Sequence, residues 1–167
     1  MHQTLLLLRH AKAVPWEPGV DDFARELAPR GRRHMDRLAT WSARHLAPPD
    51  RVLCSTSART RGTLAPFLAL WPELEPCVDY SDRLYHASAG TIHDLAAHAF
   101  DAHEMLLMVG HNPGFEVLAL GLMTPAERRE HYKMPTGTLG VFEFEEGFAE
   151  GTPRLRHWIR RRDLSVE

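Results

Sequence analysis

Cysteine is scarce: Cys54 and Cys77 are the only two in 167 residues. Neither a disulfide framework nor a metal-binding pair with short spacing can be built from them, and a reducing cytoplasm is the expected compartment. Long apolar runs are missing too. The run Leu5–Leu8 is far below the roughly 20 residues that a membrane span needs, and no basic segment with a signal-peptide core precedes it. Excess charge of either sign is absent, since the formal net charge is −2. The chain therefore has no overall basic field to recruit nucleic acid or an acidic membrane, and neither is an expected partner. There is no internal repeat, low-complexity segment or linker. The length suits one domain, 1–167, with a proper core, and 44% hydrophobic with 25% charged residues is ordinary globular composition.

Three short apolar runs stand out, each ending in polar residues. Leu5-Leu6-Leu7-Leu8 precedes Arg9-His10. Arg51-Val52-Leu53-Cys54 breaks into Ser55-Thr56-Ser57, with Arg59 at the start of a helix. Met105-Leu106-Leu107-Met108-Val109 ends in Gly110-His111-Asn112-Pro113-Gly114. Unbroken apolar runs of this length read as parallel strands buried on both faces. Ligands of open α/β sheets bind beyond the carboxyl ends of such strands. If the three lie parallel in one sheet, Arg9, His10, Arg59 and His111 share an edge, and two guanidiniums with two imidazoles suit a dianionic phosphoryl group.

Each residue type has a chemical reason to be there. Arginine forks donate paired, charge-assisted hydrogen bonds to phosphate oxygens and orient the group as well as attract it. A neutral imidazole is a competent nucleophile near pH 7, and adjacent positive charge lowers its pKa and keeps the attacking nitrogen bare. His10 is the expected nucleophile. His111 is placed to donate to an equatorial oxygen and stabilise transition-state charge. Asn112 is a candidate substrate contact and a candidate cap for the helix that begins near Pro113, whose free N–H groups would lie near the anion.

Between these runs the pattern alternates. Gly31–Leu46 places Met35, Leu38, Ala39, Ser42 and Leu46 at helical spacing before Pro48-Pro49 ends it. Leu64, Phe67, Leu68 and Trp71 fit a second helix, in which Pro66 requires an early position or a kink. Ile92, Leu95, Ala96 and Ala99 predict a third, and Phe115, Leu118, Ala119 and Leu122 a fourth. A short helix is expected from Thr124-Pro125 towards Tyr132. Thr138–Phe144 and Leu155–Arg161 read as strands joined by 145–153. The loop Ala13–Arg30 carries no pattern and is a candidate wall of the pocket.

Several features have plainer readings. His93, His98 and His103 recur at intervals of five in one expected helix. Such steps turn about 140° and point apart, so no metal site is assigned to them. Arg154, Arg156, Arg160, Arg161 and Arg162 suit a charged edge strand that discourages aggregation better than a nucleic-acid or acidic-partner surface. Arg30, Arg32 and Arg33 read as a wet helix face. Lys12 either contacts the substrate or neutralises Asp21, Asp22 or Glu26.

The motifs resemble those of the histidine phosphatase superfamily, also called the phosphoglycerate mutase-like fold. Leu8-Arg9-His10-Ala11-Lys12 looks like the variant of its Arg-His-Gly motif found in SixA-type phosphohistidine phosphatases. Ser55–Arg59 with Thr63, Val109–Gly114, and Met134-Pro135-Thr136-Gly137 follow in the order of that branch. Ala11 stands where the wider superfamily has glycine, and Thr56 where proline is common. The resemblance implies a three-layer α/β/α sandwich around a central, mostly parallel sheet. It also implies a metal-independent, cofactor-free phosphatase in which His10 is transiently phosphorylated while Arg9, Arg59 and His111 complete the phosphate pocket. The expected substrate is phosphohistidine in a protein, such as a phosphorelay domain. A small phosphomonoester, or a non-catalytic phosphate-binding role, is the alternative. Larger superfamily members carry an acidic residue that protonates the leaving group. Here no motif supplies one, and Tyr85, His86 and Asp22 are the candidates.

Overall fold

The structure, a computed structural model, describes residues 1–164; the last three positions of the expected 1–167 domain lie outside the described residues. Strands β1 (Gln3–Arg9), β2 (Arg51–Ser55), β3 (Val78–Ser81), β4 (Met105–Gly110), β5 (Leu139–Phe144) and β6 (Arg154–Ile159) form one six-stranded sheet in the order β3-β2-β4-β1-β5-β6. The first four in that order run parallel, and β5 and β6 are antiparallel. Helices α1 (Pro29–His45), α2 (Ala58–Leu70), α3 (Ala89–Phe100), α4 (Gly114–Gly121) and α5 (Pro125–Glu130) connect them. Among the described residues, no helix is long and apolar enough to cross a membrane.

The unbroken leucine run of β1 is explained by two separate cores. Leu6 and Leu8 pack with Met35 and Leu38 of α1 and Leu64 and Phe67 of α2. Leu5 and Leu7 pack on the opposite face with Ile92 and Ala96 of α3 and Phe115 and Leu118 of α4. Successive strand residues point to opposite faces, so a strand covered on both sides must be apolar throughout. The layers are therefore α/β/α.

This layering also places a cleft. The chain leaving β1 turns to α1 on one face, while the chain leaving the adjacent β4 turns to α4 on the other. Connections that diverge from neighbouring parallel strands open a crevice at their carboxyl ends, where ligands of such sheets bind.

Local features depart from expectation in places. α1 starts at Pro29, a residue preadapted to a first helical position. Pro66 is neither early nor at an end but lies in the interior of α2, where it leaves one carbonyl of the preceding turn without its helical donor. β3 was not anticipated, because its four residues, Val-Asp-Tyr-Ser, are only half-buried at the sheet edge. The helix expected to carry three histidines stops at Phe100, so His103 falls outside it. β6 is the other edge strand, and Arg154 and Arg156 lie on it as expected. Arg160, Arg161 and Arg162 have already left it, in a 3₁₀ turn at Arg161–Asp163.

Two glycines permit close approaches behind the cleft. A Cβ at Gly31 would sit 2.3 Å from the Lys12 carbonyl oxygen, so only glycine lets α1 press against the segment following His10. Gly137 has φ +72°, and a Cβ there would lie 2.4 Å from the His34 ring.

Candidate active site

Register assembles the site. Arg9 of β1 pairs with Gly110 of β4, so His10 and His111 leave neighbouring strands at the same level. Their ring centroids are 5.4 Å apart. β2 pairs Cys54 with Val109, which brings Ser55 and the following α2 to that edge. Ser57 caps α2 by accepting from the Thr60 N–H, and the first turn so fixed delivers Arg59, 1% exposed, beneath the cleft. The four residues read from three separate segments thus meet around one pocket of about 360 Å³, which Lys12, Arg25, His86, Asn112 and Thr136 also line. Among the described residues, no carboxylate lines it.

His10 is held with one nitrogen bare. Its Nδ1 lies 2.8 Å from the Ala11 carbonyl oxygen, an acceptor only, so Nδ1 carries the proton and Nε2 keeps its lone pair. The Ala11 N–H donates to Thr63 Oγ1 at 3.0 Å, and that hydroxyl donates to the Arg59 carbonyl at 2.7 Å, tying the segment after His10 to α2. Ala11 is fully buried, so its methyl group packs in the core where glycine would leave a void. Burial is the largest influence on His10, and with the Arg59, Arg9 and Arg25 guanidiniums it pushes the ring down to about 4 against the pull of the Ala11 carbonyl. Positive charge contributes as anticipated, but after desolvation.

His111 is shifted the same way, to about 3, by burial first and then by Arg59 and His10. Its Nε2 lies 2.8 Å from Ser55 Oγ and its Nδ1 3.4 Å from an Arg59 Nη. A guanidinium only donates, so Arg59 gives a proton to Nδ1 and the ring N–H lies on Nε2, donated to Ser55 Oγ; His111 thus turns no N–H of its own towards an anion here, unlike the expected donor. Ser55, fully buried, was read in the sequence only as the end of a strand.

Both guanidiniums are partly committed and partly open. Arg9 donates through Nη1 to the Met134 carbonyl at 2.9 Å. Arg59 donates to the Asp22 carbonyl at 2.7 Å and to its carboxylate at 3.0 Å. The Nε–H of each is buried without a partner among the described residues. Arg37 Nε and Trp158 Nε1, outside this pocket, are in the same position, so it is the meeting of the two guanidiniums in one pocket that suits a tetrahedral oxyanion.

The loop 13–30 does form a wall. An antiparallel bridge between Ala13 and Leu27, a Val14 N–H to Glu26 carbonyl bond of 2.9 Å and an Ala28 N–H to Lys12 carbonyl bond of 2.9 Å pin it across the cleft. Arg25 is thereby brought into the lining, a residue without any local motif to announce it. Lys12 is exposed in the lining, and none of the ion pairs among the described residues joins it to Asp21, Asp22 or Glu26.

Asp22 corrects one expectation. Its carboxylate accepts from Tyr85 Oη at 2.5 Å, His86 Nε2 at 3.1 Å, Arg59 at 3.0 Å and Arg25 at 2.9 Å. Burial by itself would raise its pKa, but these donors outweigh it and hold the group well below the usual carboxylate range. An acid so ionised has no proton to give. Tyr85 is held the other way, burial and the bond to Asp22 raising its hydroxyl.

Asn112 fulfils a cap-like role from just outside the expected position: Pro113 occupies the N-cap, while Asn112 Oδ1 accepts the Glu116 N–H at 3.2 Å. Its Nδ2 donates to the Met134 carbonyl at 3.1 Å. Met134 is also held by Glu116, whose carboxylate accepts its N–H at 2.8 Å. The Asn112 amide is therefore engaged in fixing the 134–137 segment, whose Gly137 N–H in turn donates to the His10 carbonyl at 2.9 Å. It shapes the wall of the pocket instead of extending into it.

No family model matches the chain. The uncharacterised protein Rv1276c of Mycobacterium tuberculosis is 33% identical over 152 residues, 87% of this chain and 92% of that protein. A crystal structure from Agrobacterium tumefaciens, assigned as the phosphohistidine phosphatase SixA, is similar at a TM-score of 0.84 and 28% identity, over 95% of this chain and 97% of its own. The protein histidine phosphatase SixA complexed with tungstate shares the fold at a TM-score of 0.79 and 18% identity, over 96% and 99% of the two chains. Likeness at 28% identity along nearly the full length of solved structures assigned as SixA, with the motifs that carry it drawn together at one sheet edge, makes this chain a member of the histidine phosphatase superfamily.

Proposed function

We propose that the chain is a phosphohistidine phosphatase that works through a covalent phosphoryl-His10 intermediate and needs no metal. The observation that carries this reading is a neutral imidazole with its Nε2 lone pair free, in one pocket with the buried Arg59 and half-buried Arg9 guanidiniums. The tungstate held by a SixA of the same fold is a tetrahedral oxyanion of the kind such donors suit. In the first step His10 Nε2 attacks phosphorus in line, the N–P bond to the substrate imidazole breaks, and the departing nitrogen takes a proton. Arg9 and Arg59 hold the equatorial oxygens as charge spreads over them, and His111, accepting from Arg59 through Nδ1, keeps that guanidinium in place. In the second step water attacks the phosphorus of phosphoryl-His10, its proton passes to the base left by the first step, and inorganic phosphate leaves with His10 restored.

Of the three candidate proton donors, His86 fits best. Asp22 is ionised and the Tyr85 proton is already donated to it, whereas His86 lines the pocket and, as an imidazolium with its Nε2–H given to the Asp22 carboxylate, carries a second proton on Nδ1 that the leaving group takes. Its backbone stands at φ +53°, a conformation that non-glycine residues adopt at a cost and mostly where a side chain must be aimed. His86→Ala is expected to lower turnover of an alkyl phosphate by about 10²–10³-fold while changing p-nitrophenyl phosphate by less than about fivefold, since only a poor leaving group needs a proton. Equal losses on both would remove His86 from that role. The same acid apparatus favours a second reading, hydrolysis of small phosphomonoesters, and a panel of phosphohistidine protein against such esters separates the two.

The test of the covalent route is labelling. A ³²P-phosphohistidine substrate should leave an acid-labile, alkali-stable label on His10 under rapid quench. Reversible phosphate binding without label would leave only a phosphate-binding module.

Acidity supplies a further check. The acid limb of kcat/KM, which reports the free enzyme, should fall at about pH 4, where His10 gains a proton, not near the unperturbed histidine value of about 6.5. The unfolded chain binds protons at His10 and His111 from about pH 6.5, and the folded one only at about 4 and 3. Stability conferred by these groups is thus present above about pH 6.5 and declines as pH falls through that window. Circular dichroism followed in parallel separates the two effects, and an acid limb near 6.5 in folded protein would contradict a buried, neutral nucleophile.

A further inference from the structure

Cationic side chains are gathered at the catalytic end of the sheet although the chain as a whole carries −2. β5 pairs with β1 through Leu139 and Leu8, and β6 with β5 through Ile159 and Leu139, so Arg160–Arg162 emerge from β6 at the edge where Arg9 and His10 leave β1. There they meet Arg37 of α1 and Lys133 in a groove of about 560 Å³ whose lining, among the described residues, holds five cationic side chains and one carboxylate, Glu130. The groove adjoins the catalytic pocket across one peptide, since Pro135 lines the first and Thr136 the second. Arg161, Arg162 and Lys133 are exposed, and Tyr132, 66% exposed, stands on the same wall as an aromatic anchor. An edge strand needs charge along its length to repel other edges. Arg161 and Arg162 lie beyond the strand, so that purpose does not account for them.

We infer that this groove docks an acidic surface of the protein that carries the phosphohistidine, beside the residue whose phosphoryl group enters the pocket. The inference rests on the phosphohistidine reading above and adds the character of the substrate protein. Opposite charge facing the groove would steer encounter and orient the substrate, while the smaller pocket of Arg9, His10, Arg59 and His111 handles the phosphoryl group whatever its carrier. A phosphorylated small molecule would gain nothing from it.

The experiment compares three probes: free phosphohistidine, a phosphohistidine peptide flanked by six glutamates, and the same peptide with glutamine in those places. Wild type should prefer the glutamate peptide by about tenfold in kcat/KM at low salt, and the preference should vanish near 1 M salt, where the screening length is about 3 Å. Arg161→Glu with Arg162→Glu should abolish the preference through KM with kcat unchanged, and leave free phosphohistidine untouched. Arg160 is kept, because it holds Asp163 at 2.9 Å in the turn. Arg161→Gln with Arg162→Gln, which removes charge without reversing it, should give an intermediate loss. Equal rates on the two peptides in wild type overturn the inference, as does an equal loss on free phosphohistidine in both double variants, or tighter retention of a single-stranded RNA than of the acidic peptide. Failure to hydrolyse any of the three probes instead overturns the phosphohistidine reading on which it stands.

Discussion

His10→Ala should lower kcat on a phosphohistidine protein by at least about 10⁴-fold, a loss of roughly 5.5 kcal/mol in transition-state stabilisation, because removal of a nucleophile deletes the route and not one contact along it. The fold should survive. His10 is at the pocket face of the core, 9% exposed, and its one side-chain bond is to the carbonyl of the next residue. Truncation leaves one buried partner, the Ala11 carbonyl, without its donor, at a cost of about 1–3 kcal/mol. Single-turnover kinetics with circular dichroism at pH 7 is the measurement, and hydrolysis at the wild-type rate would end the covalent mechanism whatever the position of the ring.

Arg59→Lys carries the second largest expectation, a loss of about 10²–10³-fold in kcat/KM with charge preserved, comparable to removal of a preorganised oxyanion donor. The guanidinium has three nitrogens doing separate things: two hold Asp22, and the third, Nε, is buried without a partner. A lysine ammonium reaches with one nitrogen. It can satisfy the Asp22 carboxylate or the phosphoryl oxygens but not both in a fixed plane. Near-normal turnover in folded Arg59→Lys protein would show that the phosphoryl group is held elsewhere.

These two residues were legible before any fold was known, and the reason is local. Burial on both faces forces strands β1, β2 and β4 to be unbroken apolar runs, so their ends are marked in the residue order itself, and the polar groups immediately beyond are the ones a sheet edge must present. α1, α3 and α4 were readable for a similar reason, since each has one core face. β3 was not, because an edge strand with half-buried residues needs no apolar signature. Pro66 shows the limit of propensity, as packing of Leu64 and Phe67 in the core holds a helix through a residue that opposes it.

Residue order therefore marked His10, Arg9, Arg59 and His111, the residues of the proposed mechanism, because each sits at or just beyond a buried strand end. Only tertiary structure decided the roles of Asp22, Arg25, Ser55 and His86. Their work depends on which hydrogen atom meets which lone pair across loops that are distant in the chain. A carboxylate surrounded by four donors is an ion and the same carboxylate alone in an apolar wall is an acid, so its chemistry belongs to its neighbours and not to its name. The gathering of Arg37, Lys133 and Arg160–Arg162 beside the pocket is likewise a product of antiparallel pairing, which folds the last strand back to the edge where the first one ends.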